Sequence, residues 1–109
     1  MSAVAVKDDL LNVAKLFGDV ETVITDAVRH YAIDQCVERI ESARAKIREY
    51  EVKFGTDYLT FASRVQTDAE FLRRIEAKNP LWEEDAMEWK YRSDEVVEWT
   101  QTLERILKQ

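Results

Sequence analysis

The chain has 109 residues, 35 % of them charged, with two glycines and one proline, a composition that favours long, salt-laced helices over a loop-rich or β-rich domain. Twenty-two acidic side chains against 16 basic ones set the net charge at −6, which argues against a generic nucleic-acid binder and suits a basic partner. One cysteine and an N-terminal apolar run of only four residues rule out a disulfide framework and a signal-peptide core there, so a soluble, cytoplasmic protein is expected.

Ala3 to Val6 is half β-branched and runs into Lys7, Asp8 and Asp9, which predicts a short strand. Asp8 or Asp9 then caps a helix with Leu10, Val13, Ala14 and Phe17 as apolar positions, and Gly18 ends it. Asp19 is the next N-cap, ahead of an apolar face of Val20, Val23, Ile24, Ala27, Val28 and Tyr31. Helical steps from that face land on Asp34, Gln35 and Glu38, which are polar. A new stripe starts at Ile33, about 200° round a helix of 3.6 residues per turn. With no glycine or proline in between, one long helix using opposite faces for two partners is favoured over a break near Tyr31.

Ile33, Ile40, Ile47 and Phe54 fall seven apart, with Cys36, Ala43 and Tyr50 between them, so the stripe continues to Gly55, a left-handed C-cap. Cys36 lies on this stripe and reads as a buried thiol. The stripe needs a partner, and Trp82, Trp89, Val96 and Leu103 repeat at the same spacing near the C-terminus. Between them, Thr56 or Asp57 caps a short helix with Tyr58, Leu59, Phe61, Ala62 and Val65. Thr67 with Glu70 reads as a capping box for another, whose face is Phe71, Leu72 and Ile75. Asn79 and Pro80 predict an Asn cap with proline at the first position of a helix from Leu81 to Leu107. Residues 33–109 are thus expected to form a long α-helical hairpin bridged by two short helices.

The order of a strand, a ten-residue helix, a glycine turn and a second helix in residues 3–31 resembles the ribbon-helix-helix family, with Val4 and Val6 as inward strand positions. The resemblance implies a mainly α protein whose residues 1–32 dimerise through Val4, Val6, Leu10, Ala14, Phe17, Val23, Ile24, Ala27, Val28 and Tyr31. Members are usually DNA-binding regulators, often antitoxins with a C-terminal extension that wraps the toxin. The stretch from Tyr50 to Gly55 and the acidic, Trp-containing helix beyond it are similar to the tails of small prokaryotic antitoxin-like proteins. The family's DNA-reading ribbon would place Ala3, Ala5 and Lys7 against the bases, but the two alanines offer no hydrogen bonds to base edges. Asp19 and Glu21 occupy the helix start that would meet a phosphate, so DNA is only a weak expectation.

The expected function is therefore antitoxin-like, silencing a basic toxin, with a helical adaptor lacking DNA and toxin as the alternative. The partner site is placed on the C-terminal helix at Trp82, Glu83, Glu84, Asp85, Glu88, Trp89 and Trp99, an acidic, aromatic surface. Core packing competes for Trp82 and Trp89, and exposure of Trp99 is the discriminating feature. Catalysis is not expected, and neither is a metal or cofactor. His30 is the only histidine and has no ligand-spaced companion, and no phosphate loop or nucleophile motif is present. Acid pairs at helical spacing (Glu38 with Glu41, Asp85 with Glu88, Glu95 with Glu98) could suit carboxylate-held magnesium, but a chain with 22 acids produces such pairs by chance.

Overall fold

A computed structural model describes residues 5–109. Among the described residues five helices follow in order, α1 (Asp8–Ala14), α2 (Val20–Phe54), α3 (Tyr58–Thr67), α4 (Ala69–Lys78) and α5 (Trp82–Leu107). The two long helices pair as an antiparallel hairpin. Lys53 of α2 bonds Asp85 of α5, and 14 residues earlier in α2 and 14 later in α5 Arg39 lies over the Trp99 ring at 4.9 Å. The molecule is a rod of 66 × 26 × 24 Å. Its radius of gyration is 21.6 Å, where a compact chain of this length would have about 13 Å.

The predicted strand is absent. Ala3 and Val4 lie outside the described residues, Ala5 to Lys7 take no regular structure, and no described residue forms a strand. A segment this short needs a ladder partner for its N–H and C=O groups. Instead Lys7 stands at the N-cap of α1, where its carbonyl accepts from the N–H of Leu10 and of Leu11. The ribbon-helix-helix resemblance is thereby overturned, and Ala5 and Lys7 form no DNA-reading ribbon.

The long-helix expectation holds, because α2 runs without interruption past Tyr31. Beyond that point its stripe of Cys36, Ile40, Ala43, Tyr50 and Phe54 is buried. Cys36 and Ala43 are small, which lets α5 approach the backbone closely. Gly55 caps the helix at φ 71°, and its N–H returns to the Glu51 carbonyl at 2.8 Å. That backbone conformation strains any side chain with a Cβ.

Cap assignments divide. Asp19 and Asp57 cap as expected, accepting from the N–H of Thr22 and Thr60. For α4 the cap is Asp68, which accepts from Phe71 N–H at 3.0 Å, while Thr67 remains in α3 with its hydroxyl donating to the Ser63 carbonyl. A carboxylate accepts more strongly than a hydroxyl, so the register moves by one residue. Asn79 and Pro80 form a turn before α5, which starts at Trp82.

The core sits at the hairpin tip. Tyr50, Phe54, Phe61, Phe71 and Trp89 form one cluster, with Ile47, Tyr58, Val65, Ile75, Trp82 and Ala86 packed around it. Trp89 is 0 % exposed, and the rings of Tyr58 and Phe61 each stand 5.3 Å from it. Its Nε1–H has no acceptor among the described residues, so packing must outweigh an orphaned donor. Trp89→Ala should therefore destabilise the fold by about 3–5 kcal/mol. Trp89→Phe, which also removes the orphan donor, should cost less, and Val52→Ala at an exposed position should stay within about 0.5 kcal/mol. Urea denaturation of the three variants checks the order.

Candidate functional site

The residues assigned to a partner surface on α5 separate into two groups. Trp89 is sealed in the tip core, and Trp82 is half-buried against it, its ring 6.1 Å from Phe61. Asp85 is tied down by Lys53 and by Asn79, whose Nδ2 donates at 2.8 Å. Glu88 is half-buried, with the Arg92 guanidinium 3.7 Å away. Trp99 is half-buried, and a guanidinium from α2 covers its ring. Asp85, Trp89 and Trp99 engage α2, Trp82 packs on Phe61 of α3, and Glu88 pairs within α5, so these five serve the fold.

Glu83 and Glu84 remain exposed, and two apolar side chains accompany them that the sequence reading passed over. Met87 is 74 % exposed and Tyr91 59 %. Glu84, Met87 and Tyr91 follow at steps of three and four, so they share one outward strip. The signal was available, since these positions fall out of phase with Trp82, Trp89, Val96 and Leu103. Tryptophan is the larger aromatic residue, and its size suits Trp89 to the core.

The second feature is the N-terminal end. Before Cys36, Ala14 is the only buried side chain among the described residues. Leu10, Val13, Leu16, Phe17, Val28 and Tyr31 are each at least half exposed, with Leu16 at 78 % and Phe17 at 76 %. Of the residues assigned to a dimer interface, Ala14 is already covered within the chain, whereas Leu10, Phe17, Ala27, Val28 and Tyr31 are open. Val6, Val23 and Ile24 are half-buried, and Val4 lies outside the described residues. The cause is the phase change in α2. The hairpin stripe faces α5, while the earlier face lies on another side of α2, with only the seven-residue α1 and the last turn of α5 beside it.

Among the described residues no group of three or more His, Cys, Asp or Glu side chains is placed to hold a metal ion. Glu38, Glu41 and Glu98 are exposed, and Glu95 accepts from Arg92 at 2.8 Å. His30 is exposed on α2, and Cys36 is a buried free thiol. A groove of about 410 Å³ runs along the tip between α2 and α4. Its Lys53 and Arg64 pair with Asp85 and Asp68, while Arg74 and Lys78, which also line it, make no ion pair among the described residues. No helix among the described residues is long and apolar enough to cross a membrane.

No family model, curated protein or solved structure matches this chain.

The titratable groups around the tip give the fold a pH signature. Burial, with Glu88 close by, pushes the Tyr50 hydroxyl up to about 12 from an ordinary 10.0. The folded chain thus keeps a proton that the unfolded chain loses, so this contribution is full below pH 10 and disappears as the pH rises toward 12. Asp85 moves the opposite way. Burial pushes it up, but the hydrogen bonds from Lys53 and Asn79 and the charge of Lys53 hold it below the usual aspartate value. Its contribution is present above that value and is lost as the pH falls through the lowered one. Urea unfolding from pH 9 to 12 should show a declining stability that Tyr50→Phe makes shallower, and Asp85→Asn should remove part of the acid-side decline.

Proposed function

We propose that this protein is a helical adaptor without catalytic activity, which associates with other protein surfaces through the open N-terminal end of its rod. The observation that carries the reading is the asymmetry of burial. The tip is sealed by five buried aromatic residues, while the other end leaves Leu16 and Phe17 more than three-quarters exposed. A chain that can pack one end this well exposes such side chains at the other at a cost in stability and solubility, unless something covers them. A homodimer through residues 1–32 belongs to this reading.

One observation favours a second reading. The strip of Glu83, Glu84, Met87 and Tyr91 joins acidic and apolar side chains on a rigid helix, as a basic protein would require. An antitoxin-like role, neutralising a basic toxin through this face, is the function class that uses such a strip. It no longer has a ribbon-helix-helix N-terminus behind it, and so it stands second.

Co-purification with the immediate genomic neighbours, washed at low and at high salt, separates the two. A partner held by the apolar end should survive high salt and be lost from Leu16→Glu/Phe17→Glu, because apolar burial is not screened. A partner held by the acidic strip should come off at high salt and be lost from Glu83→Lys/Glu84→Lys. Retention of nothing but a monomeric bait in either wash rejects both.

A further inference from the structure

We propose that the occupant of the open end is a second copy of this chain, each copy laying its α1 into a groove on the other's α2, a proposal that rests on reading this end as an interaction surface. Two hollows meet along the N-terminal third of α2. One, about 510 Å³, is lined by Val6, Leu11, Glu21, Ile24, Thr25 and Val28. The other, about 470 Å³, lies where α5 ends and adds Arg29, Ala32 and Ile106 to the shared Ile24, Thr25 and Val28. Together they make one apolar trough, with α1 on one bank and the last turn of α5 on the other.

A matching ridge exists on the same chain. Leu10 and Val13 lie three apart on one side of α1, Phe17 follows in the bend just beyond it, and all three are at least half exposed. One copy cannot fill its own trough with this ridge, because α1 already rests on α2 through Ala14. Two copies can do so reciprocally about a two-fold axis, which is the self-complementary arrangement of an isologous dimer.

The exposed area points the same way. Leu10, Val13, Phe17 and Val28 are each at least half exposed on one copy, and reciprocal seating covers all four on both copies. Charge fits as well. Arg29 on the trough makes no ion pair among the described residues, and neither do Asp8 and Asp9, which open α1. Reciprocal seating lets the aspartates of each copy approach the Arg29 of the other. Finally, a helix of seven residues draws its stability from packing rather than from itself, and a second copy adds packing on its free side. A second copy is the one partner present wherever this chain folds.

Sedimentation equilibrium of the full chain at tens of micromolar tests this, with circular dichroism recorded on each variant. The wild-type protein should sediment at twice its chain mass of 12.8 kDa. Phe17→Glu on the ridge and Val28→Glu in the trough should each return it to the monomer mass with helicity kept. Val52→Glu, exposed at the other end of the rod, should leave the dimer intact. Should either glutamate unfold the chain, the charge swap decides. Arg29→Glu alone should weaken dimerisation about tenfold, and Asp8→Lys/Asp9→Lys in the same chain should restore it. A monomeric wild type overturns the proposal, as does a dimer indifferent to both Phe17→Glu and Val28→Glu. A monomer that still retains a different partner through Phe17 sinks only the second copy, whereas a monomer that retains none takes the adaptor reading with it.

Discussion

The structure depends on one constraint, that neither long helix can bury its apolar stripe alone. The stripe of α2 from Cys36 to Phe54 and the stripe of α5 through Trp89 are each too narrow to close on themselves. Pairing them antiparallel satisfies both, and the register follows from the largest side chains. Trp89 has to meet Tyr50 and Phe54, whose ring centroids stand 5.9 and 5.6 Å away. Once that contact is set, the loop side of the hairpin must supply a lid, and Phe61 of α3 and Phe71 of α4 provide it.

The same pairing leaves the molecule lopsided. Aromatic bulk is concentrated at the tip, where small connecting helices can wrap it. Toward the other end the stripe thins to Cys36, and α5 ends with Leu107 while α2 continues out to Val20. The projecting part of α2 carries its apolar residues on a different side, and α1 is too short to cover them. A core at one end and an open surface at the other thus arise from a single cause, the change of phase within one continuous helix.

Charge follows the same division of labour. Acids in the capping positions, Asp19, Asp57 and Asp68, are spent on backbone N–H groups. Asp85 is spent on a cross-link to α2 and Glu95 on Arg92 of its own helix. What is left for a partner on α5 is smaller than the composition suggests, namely the exposed Glu83, Glu84, Glu98 and Glu104, the first two beside Met87 and Tyr91. A net charge of −6 therefore says less about recognition than the handful of carboxylates without a structural task.

Periodicity determined the helices, because a seven-residue apolar repeat with no glycine or proline leaves a chain few alternatives. The hairpin, the unbroken passage through Tyr31 and the left-handed cap at Gly55 were all readable from Ile33, Phe54, Trp82 and their spacing. The N-terminal strand was misjudged because four alternating small and branched residues carry the same pattern whether or not a ladder partner exists, and pairing is a non-local property. The caps of α4 and α5 shifted by one or more residues because the choice between Thr67 and Asp68, or between Asn79 and Leu81, depends on where the packed helix begins. The allocation of tryptophans was likewise undetermined, since a Trp at a heptad position can serve a core or a partner until the opposing surface is known. Only the tertiary structure decided that Trp89 belongs to the inside and Tyr91 to the outside. Two residues along a helix turn a side chain by about 200°, and what lies on each side is fixed by the other helix, not by the residue itself.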